Sequence, residues 1–211
     1  MTHSLHREGS VKSLENDYVI LITPAIGVNS VGSGKKLKRY LEILAEEGVE
    51  NIGDVEHGSI KSGLTIEKLD SYLGDGKRIR AAISDKEALK RILARIKTEN
   101  LSLSITISGL VDNIFDMSRE LGIKPHSINM ALGVWGKIDL LPDEKVRQIT
   151  TMCGHHMISS SLVEDTIKKV QDGKITPEKA TEKIGKLCVC GIFNTKRCKT
   201  LLEKFSGLNG E

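Results

Sequence analysis

The sequence predicts an α/β fold: a mainly parallel sheet with helical crossovers, followed by a small all-helical C-terminal module. Three observations carry this. Apolar runs of strand length alternate with helix-period patterns over the first two-thirds of the chain. The connections are long enough for helical crossovers between parallel strands. After Pro142 the pattern becomes purely helical. The expected division is residues 1–140 and 141–211 of the 211.

Tyr18 to Thr23 is a continuous apolar run, the expected form of a buried parallel strand. A Gly- and Ser-rich loop, Pro24 to Gly34, leads into a helix whose apolar face is Leu37, Tyr40, Leu41, Leu44 and Ala45. Gly48 closes that helix. Val49 to Val55 reads as a second strand and Leu64 to Leu73 as a short helix. Arg78 to Ser84 is a third strand; Ser84 or Asp85 caps a helix that buries Leu89, Ile92, Leu93 and Ile96 and closes at Asn100. Leu101 to Ile107 alternates with period two, as a strand does. A helix follows, with Val111, Ile114, Phe115 and Leu121 on one face. Pro125 to Pro142 is a connection holding the single Trp, Trp135.

In the C-terminal part, Asp143 to Asp172 carries an inward stripe through Val146, Ile149, Cys153, His156, Val163, Ile167 and Val170. Gly154 and the serines at 159–161 are its breaking points. Thr176-Pro177 starts another helix, and Asn194 caps the last, with Cys198, Leu201, Leu202 and Phe205 inward.

Composition removes several classes of function. Aromatic residues are only 3% of the chain, too few for a single-strand nucleic-acid platform. A net charge of +3 demands neither nucleic acid nor membrane. No apolar run approaches the ~20 residues of a membrane span. The N-terminus lacks a secretion signal, so a cytosolic protein with reduced thiols is expected.

All four cysteines lie in the last 59 residues: Cys153, Cys188, Cys190 and Cys198. In a reducing compartment, such clustering points to metal binding, catalysis or packing before structural disulfides. Cys153 and His156 share a helix face if helical. Cys188 and Cys190, if extended, point the same way about 6.6 Å apart. The start of the last helix, with Lys196 and Arg197, favours a thiolate at Cys198. The expected ligands are therefore Cys153, Cys188, Cys190 and Cys198, with His156 a substitute for one and His155 outside the set. The cofactor is an iron–sulfur cluster or zinc. The spacing matches neither a paired zinc knuckle nor a ferredoxin run. Buried core thiols and a redox dithiol remain alternatives.

The turn Gly32-Ser33-Gly34-Lys35 follows a strand and opens a helix, the layout of an anion-binding turn, though not a Walker A loop. A tight turn without ligand is its alternative. His3 and His6, His57, His126, and the Asp112/Asp116 pair are weaker candidates for acid–base work. Trp135 is expected to pack the two parts together or line a pocket.

The functional expectation is a metal- or iron–sulfur-binding protein, acting in redox chemistry on a small anionic substrate held near Gly32 to Lys35. A small-molecule or nucleotide-binding regulatory module with structural cysteines is the alternative. A third reading is a structural subunit using the basic face between Lys179 and Lys199.

Overall fold

The computed structural model describes residues 7–131 and 133–208. Its strands are β1 (Tyr18–Thr23), β2 (Asn51–Asp54), β3 (Gly58–Ser59), β4 (Ile79–Ile83) and β5 (Ser104–Ser108). The helices of the first part are α1 (Val11–Leu14), α2 (Ser33–Glu46), α3 (Ile66–Tyr72), α4 (Lys86–Glu99) and α5 (Val111–Glu120). The last part holds α6 (Glu144–Thr150), α7 (Ser160–Gln171), α8 (Pro177–Gly185) and α9 (Thr195–Phe205).

The expected parallel sheet does not form. The strand order is β3-β2-β4-β1-β5, and every ladder is antiparallel. The reason lies in the crossovers. β1 and β2 do run parallel, joined by α2, but β4 lies between them and runs the other way. β4 and β5, joined by α4, likewise enclose β1. These are two interlocked split βαβ units. The alternation of strand and helix is as read; each crossover skips one sheet position, and an antiparallel strand fills the gap.

The apolar run of β1 has a different cause from the one expected. Tyr18, Ile20 and Ile22 face a core built with α2, α3 and α4, through Leu37, Leu44, Leu69 and Leu89. Val19 faces a second core, made by the C-terminal helices with Ile149, Val163, Ile184 and Phe193. A strand covered on both faces is apolar throughout whichever way its neighbours run. The sheet is thus the middle layer of three.

Helix ends follow the sequence closely. Asp85 accepts from Glu87 N at 3.0 Å to start α4, and Asn100 ends it at φ 42°. Thr176 with Pro177 starts α8, and Asn194 accepts from Arg197 N at 3.0 Å to start α9. The helix expected over 143–172 breaks where Gly154 and the serines allow, and Ser159 caps its second half.

The C-terminal layer is fastened by a buried carboxylate. Asp17, just before β1, pairs with Arg7, accepts from Arg197 Nη1 at 2.8 Å and from Asn194 Nδ2 at 3.1 Å, and its side chain is fully buried. Removing one member of a buried charge cluster strands the others. Asp17→Ala should lower urea-derived stability by roughly 3–5 kcal/mol; a loss below about 1 kcal/mol would show the cluster to be idle.

Candidate thiol centre

Three of the four cysteines meet where the C-terminal layer touches the sheet. Each belongs to a turn leaving a helix. Cys153 follows α6, with its own N–H on Thr150 O at 3.0 Å and its carbonyl accepting from His156 N at 3.0 Å. Cys188 follows α8, its N–H on Gly185 O at 3.1 Å, and its carbonyl accepts from Ser59 Oγ at 3.2 Å, tying the turn to β3. The segment Cys188 to Cys190 turns where an extended form was expected, and the two sulfurs stand 3.8 Å apart. The Cys153 thiol is in hydrogen-bonding contact with Cys188. All three are buried.

Gly191 seats this turn. At φ 85° its backbone lies directly on the sheet, and a β-carbon there would stand 2.4 Å from Gly53 N. Only glycine tolerates both that approach and that conformation.

Some groups around the sulfurs favour negative charge, against burial, which opposes it. The backbone N–H groups of His155 and Met157 point at Cys153, that of Phe193 at Cys188, and that of Ile192 at Cys190. Hydrogen bonds of this kind stabilise a thiolate over a thiol. Arg80, on β4, adds a cation. It is 8% exposed, its charge acts on Cys190, and its Nε has no partner among the described residues. Contact with Cys188 draws the Cys190 thiol below its ordinary range against the effect of burial, helped by the Ile192 amide and Arg80. Contact with Cys188 and burial push Cys153 well up. Cys153 pulls Cys188 down, but Cys190 and burial outweigh it and carry that thiol up to about 11. One sulfur of the three is therefore set to ionise first, with its neighbours as donors.

Cys198 shares the buried cluster of the other three but is shifted by different neighbours. It lies within α9 in the C-terminal core, where burial pushes it up to about 12 and Thr181 and Arg197 pull the other way. His156 does not share the face of Cys153. The helix has ended, His156 sits at φ 55°, and both it and His155 are exposed. Among the described residues, no group of three or more His, Cys, Asp or Glu side chains is placed to hold a metal ion. The arrangement is a close sulfur pair with a third thiol, Cys153, that acts on one member.

The turn read as an anion site holds an anion of the chain's own. Gly32 N and Gly34 N donate to the Asp75 carboxylate at 2.7 and 2.8 Å, and Gly76 N donates to Ser33 Oγ at 2.9 Å. Those amides hold Asp75 below the usual carboxylate range. The α2 helix that this turn opens packs on the face of the sheet opposite the thiols.

The remaining candidates are scattered. His57 Nδ1 lies 2.9 Å from Asp54 Oδ2, and its ring stacks on Tyr72 at 4.0 Å, at the β2–β3 hairpin. His126 is exposed beside β5, and Asp112 and Asp116 are exposed on α5. Trp135 is 82% exposed. His3 and His6 lie outside the described residues.

Sequence reasoning missed Arg80 and the amide donors. A signal existed for each. Arg80 is a charge inside an apolar strand, and Cys153 and Cys190 are each followed by glycine (Gly154, Gly191), which favours a turn that points amides back at sulfur.

Family models, curated proteins and solved structures contain no match to this chain. Among the described residues no helix is long and apolar enough to cross a membrane.

Arg80→Gln should raise the ionisation midpoint of Cys190 by about one pH unit or more, read from thiolate ultraviolet absorbance of the metal-free protein with Cys190→Ser as the assignment control. An unchanged midpoint would remove Arg80 from the account.

Proposed function

We propose that this chain is a metal–thiolate protein whose centre is held by Cys153, Cys188 and Cys190. The observation that carries the reading is the 3.8 Å sulfur pair beside a buried guanidinium with an unpartnered Nε. Two thiolates on one tetrahedral zinc ion, each about 2.3 Å from it, stand about 3.8 Å apart. A cubane cluster distributes its cysteine sulfurs over separate irons and needs them further apart. The spacing therefore favours two sulfurs on one metal ion over a cubane cluster, and we put a single zinc ion first.

The chemistry of the surroundings agrees. Three thiolates with one divalent ion leave a net negative charge, and Arg80 supplies the matching cation. Backbone N–H groups on each sulfur are the outer-shell donors that such ligands need. Cys198 has no part in the centre, and neither His155 nor His156 is needed. The ion, when bound, supplies a cross-link between the turn after α6 and the turn after α8. The chain's own residues do the rest: Gly191 seats the ligands on the sheet, and Arg80 and the amides stabilise their charge. Because metal binding to sites of this kind contributes directly to folding, the centre clamps the C-terminal layer to the sheet.

The test is elemental analysis of anaerobically purified protein, with zinc, iron and acid-labile sulfide measured per chain. About one zinc per chain without sulfide is expected. Cys153→Ser, Cys188→Ser and Cys190→Ser should each weaken zinc binding by roughly 100-fold or more, while Cys198→Ser leaves it unchanged. Iron with sulfide would replace the single ion by a cluster. Protein that is metal-free and takes up neither zinc nor iron would mark the four cysteines as core thiols.

A further inference from the structure

Cys188 is the middle sulfur of the thiol group. Its thiol stands 3.8 Å from that of Cys190 and is in hydrogen-bonding contact with Cys153. Thiols brought this close suit two chemistries, metal binding and two-electron oxidation. A disulfide needs its sulfurs about 2 Å apart. Cys188 and Cys190 lie on one turn, so closing that gap moves no element against another. A bond from Cys153 to Cys188 would have to draw the turn after α6 onto the turn after α8.

The two ends of the pair are held unequally. Cys190 is followed by Gly191, whose backbone rests on the sheet so closely that a β-carbon would stand 2.4 Å from Gly53 N. Ile192 and Phe193 continue into the core with no exposure. Cys190 is therefore fixed. Cys188 is held by less: its N–H bonds Gly185 O at 3.1 Å, and its carbonyl accepts from Ser59 Oγ at 3.2 Å. Its neighbours reach the surface, Leu187 at 38% exposure and Val189 half-buried. Closing the ring thus moves Cys188, toward Cys190 and away from Ser59 and Cys153. The thiols themselves are at most 1% exposed, so an oxidant has to be about as small as water. Hydrogen peroxide meets that limit.

We propose that Cys188 and Cys190 form a redox switch: hydrogen peroxide joins them in a disulfide, which takes two ligands from the ion and unfastens the turn after α8 from β3. Release of the ion rests on the metal–thiolate reading above; the disulfide rests on the sulfur pair alone. In the first step the Cys190 sulfur attacks a peroxide oxygen, the O–O bond breaks and hydroxide leaves, giving a sulfenic acid. Arg80, whose charge acts on Cys190, favours that sulfur as the attacking one. The Cys188 sulfur then attacks Cys190, the S–O bond breaks and a second hydroxide leaves. Two protons from solvent turn both hydroxides into water. The two thiolates have lost two electrons, and the peroxide has gained them. A disulfide between residues two apart closes a small ring, and strained disulfides are the readily reduced ones, so a dithiol reverses the step. Cys153 remains as a lone thiol, which holds zinc far more weakly than three together.

Hydrogen peroxide added to the anaerobically purified full chain tests this. Peptide mass spectrometry maps the disulfide, a chromogenic chelator reads zinc release, and hydrogen exchange follows the backbone. The chain should become two hydrogens lighter, with Cys188 joined to Cys190 and the bound zinc freed in step. Exchange should quicken over 185–189 and stay slow over 191–193. Dithiothreitol should restore both the thiols and zinc uptake. Cys188→Ser should stop at a sulfenic acid on Cys190, trapped by dimedone, and Cys198→Ser should respond as the parent chain does. Failure to form the Cys188–Cys190 bond, or a Cys153–Cys188 bond in its place, overturns the switch; if zinc was bound beforehand, the metal centre still stands. Protein without metal that forms the bond overturns the centre and keeps the disulfide. A disulfide formed with zinc retained overturns the release.

Discussion

At Gly191 the chain lies so close to the sheet that backbone meets backbone. A β-carbon there would stand 2.4 Å from Gly53 N and 3.1 Å from the Arg80 carbonyl oxygen. The contact fixes three things at once. It places Cys190 over β4, where Arg80 can act on it. It holds the turn after α8 against β2 and β3, where Ser59 takes the Cys188 carbonyl. It also closes the second core, because Ile192 and Phe193 follow directly and are fully buried. Gly53 has the same requirement from the other side, since a side chain there would strike Gly58 and Ser59.

The electrostatics of the seam follow from that placement. A buried guanidinium is costly to desolvate unless an anion faces it. Asp17 fills that role for Arg7 and Arg197 on the same face of the sheet. At Arg80 no carboxylate makes an ion pair among the described residues; the charge of Cys190 acts on it ahead of that of Asp54. Two buried cationic sites in one layer thus differ in their anion: one has an aspartate, the other a group of sulfurs. Cys190 is drawn down first by contact with Cys188, helped by the Ile192 amide and Arg80, whereas Cys198, in the same core, is pushed up by burial.

Much of this was legible in the sequence, and the gaps have physical causes. The β1 strand, the Asn100 helix end and the Asn194 cap were readable because local side chains decide them. Strand direction was not, because an apolar run reports burial on two faces and says nothing about which strand lies alongside. Clustering identified the cysteines, but assigning Cys153 and His156 to one helix assumed that the stripe continued past Thr150. The α6 helix ends there, so Cys153 turns inward while His156 reaches solvent. The 32–35 turn reads as a site for a bound anion or as a tight turn without ligand; that its amides bond Asp75 depends on a loop some forty residues away, which no local pattern reveals.

The central claim is that three thiols at this seam hold one ion. Zinc-edge X-ray absorption on the purified protein tests it most directly. The account predicts three sulfur neighbours at about 2.3 Å and one lighter atom completing the tetrahedron. A shell of four sulfurs, which would require Cys198, or one made only of nitrogen and oxygen would contradict it.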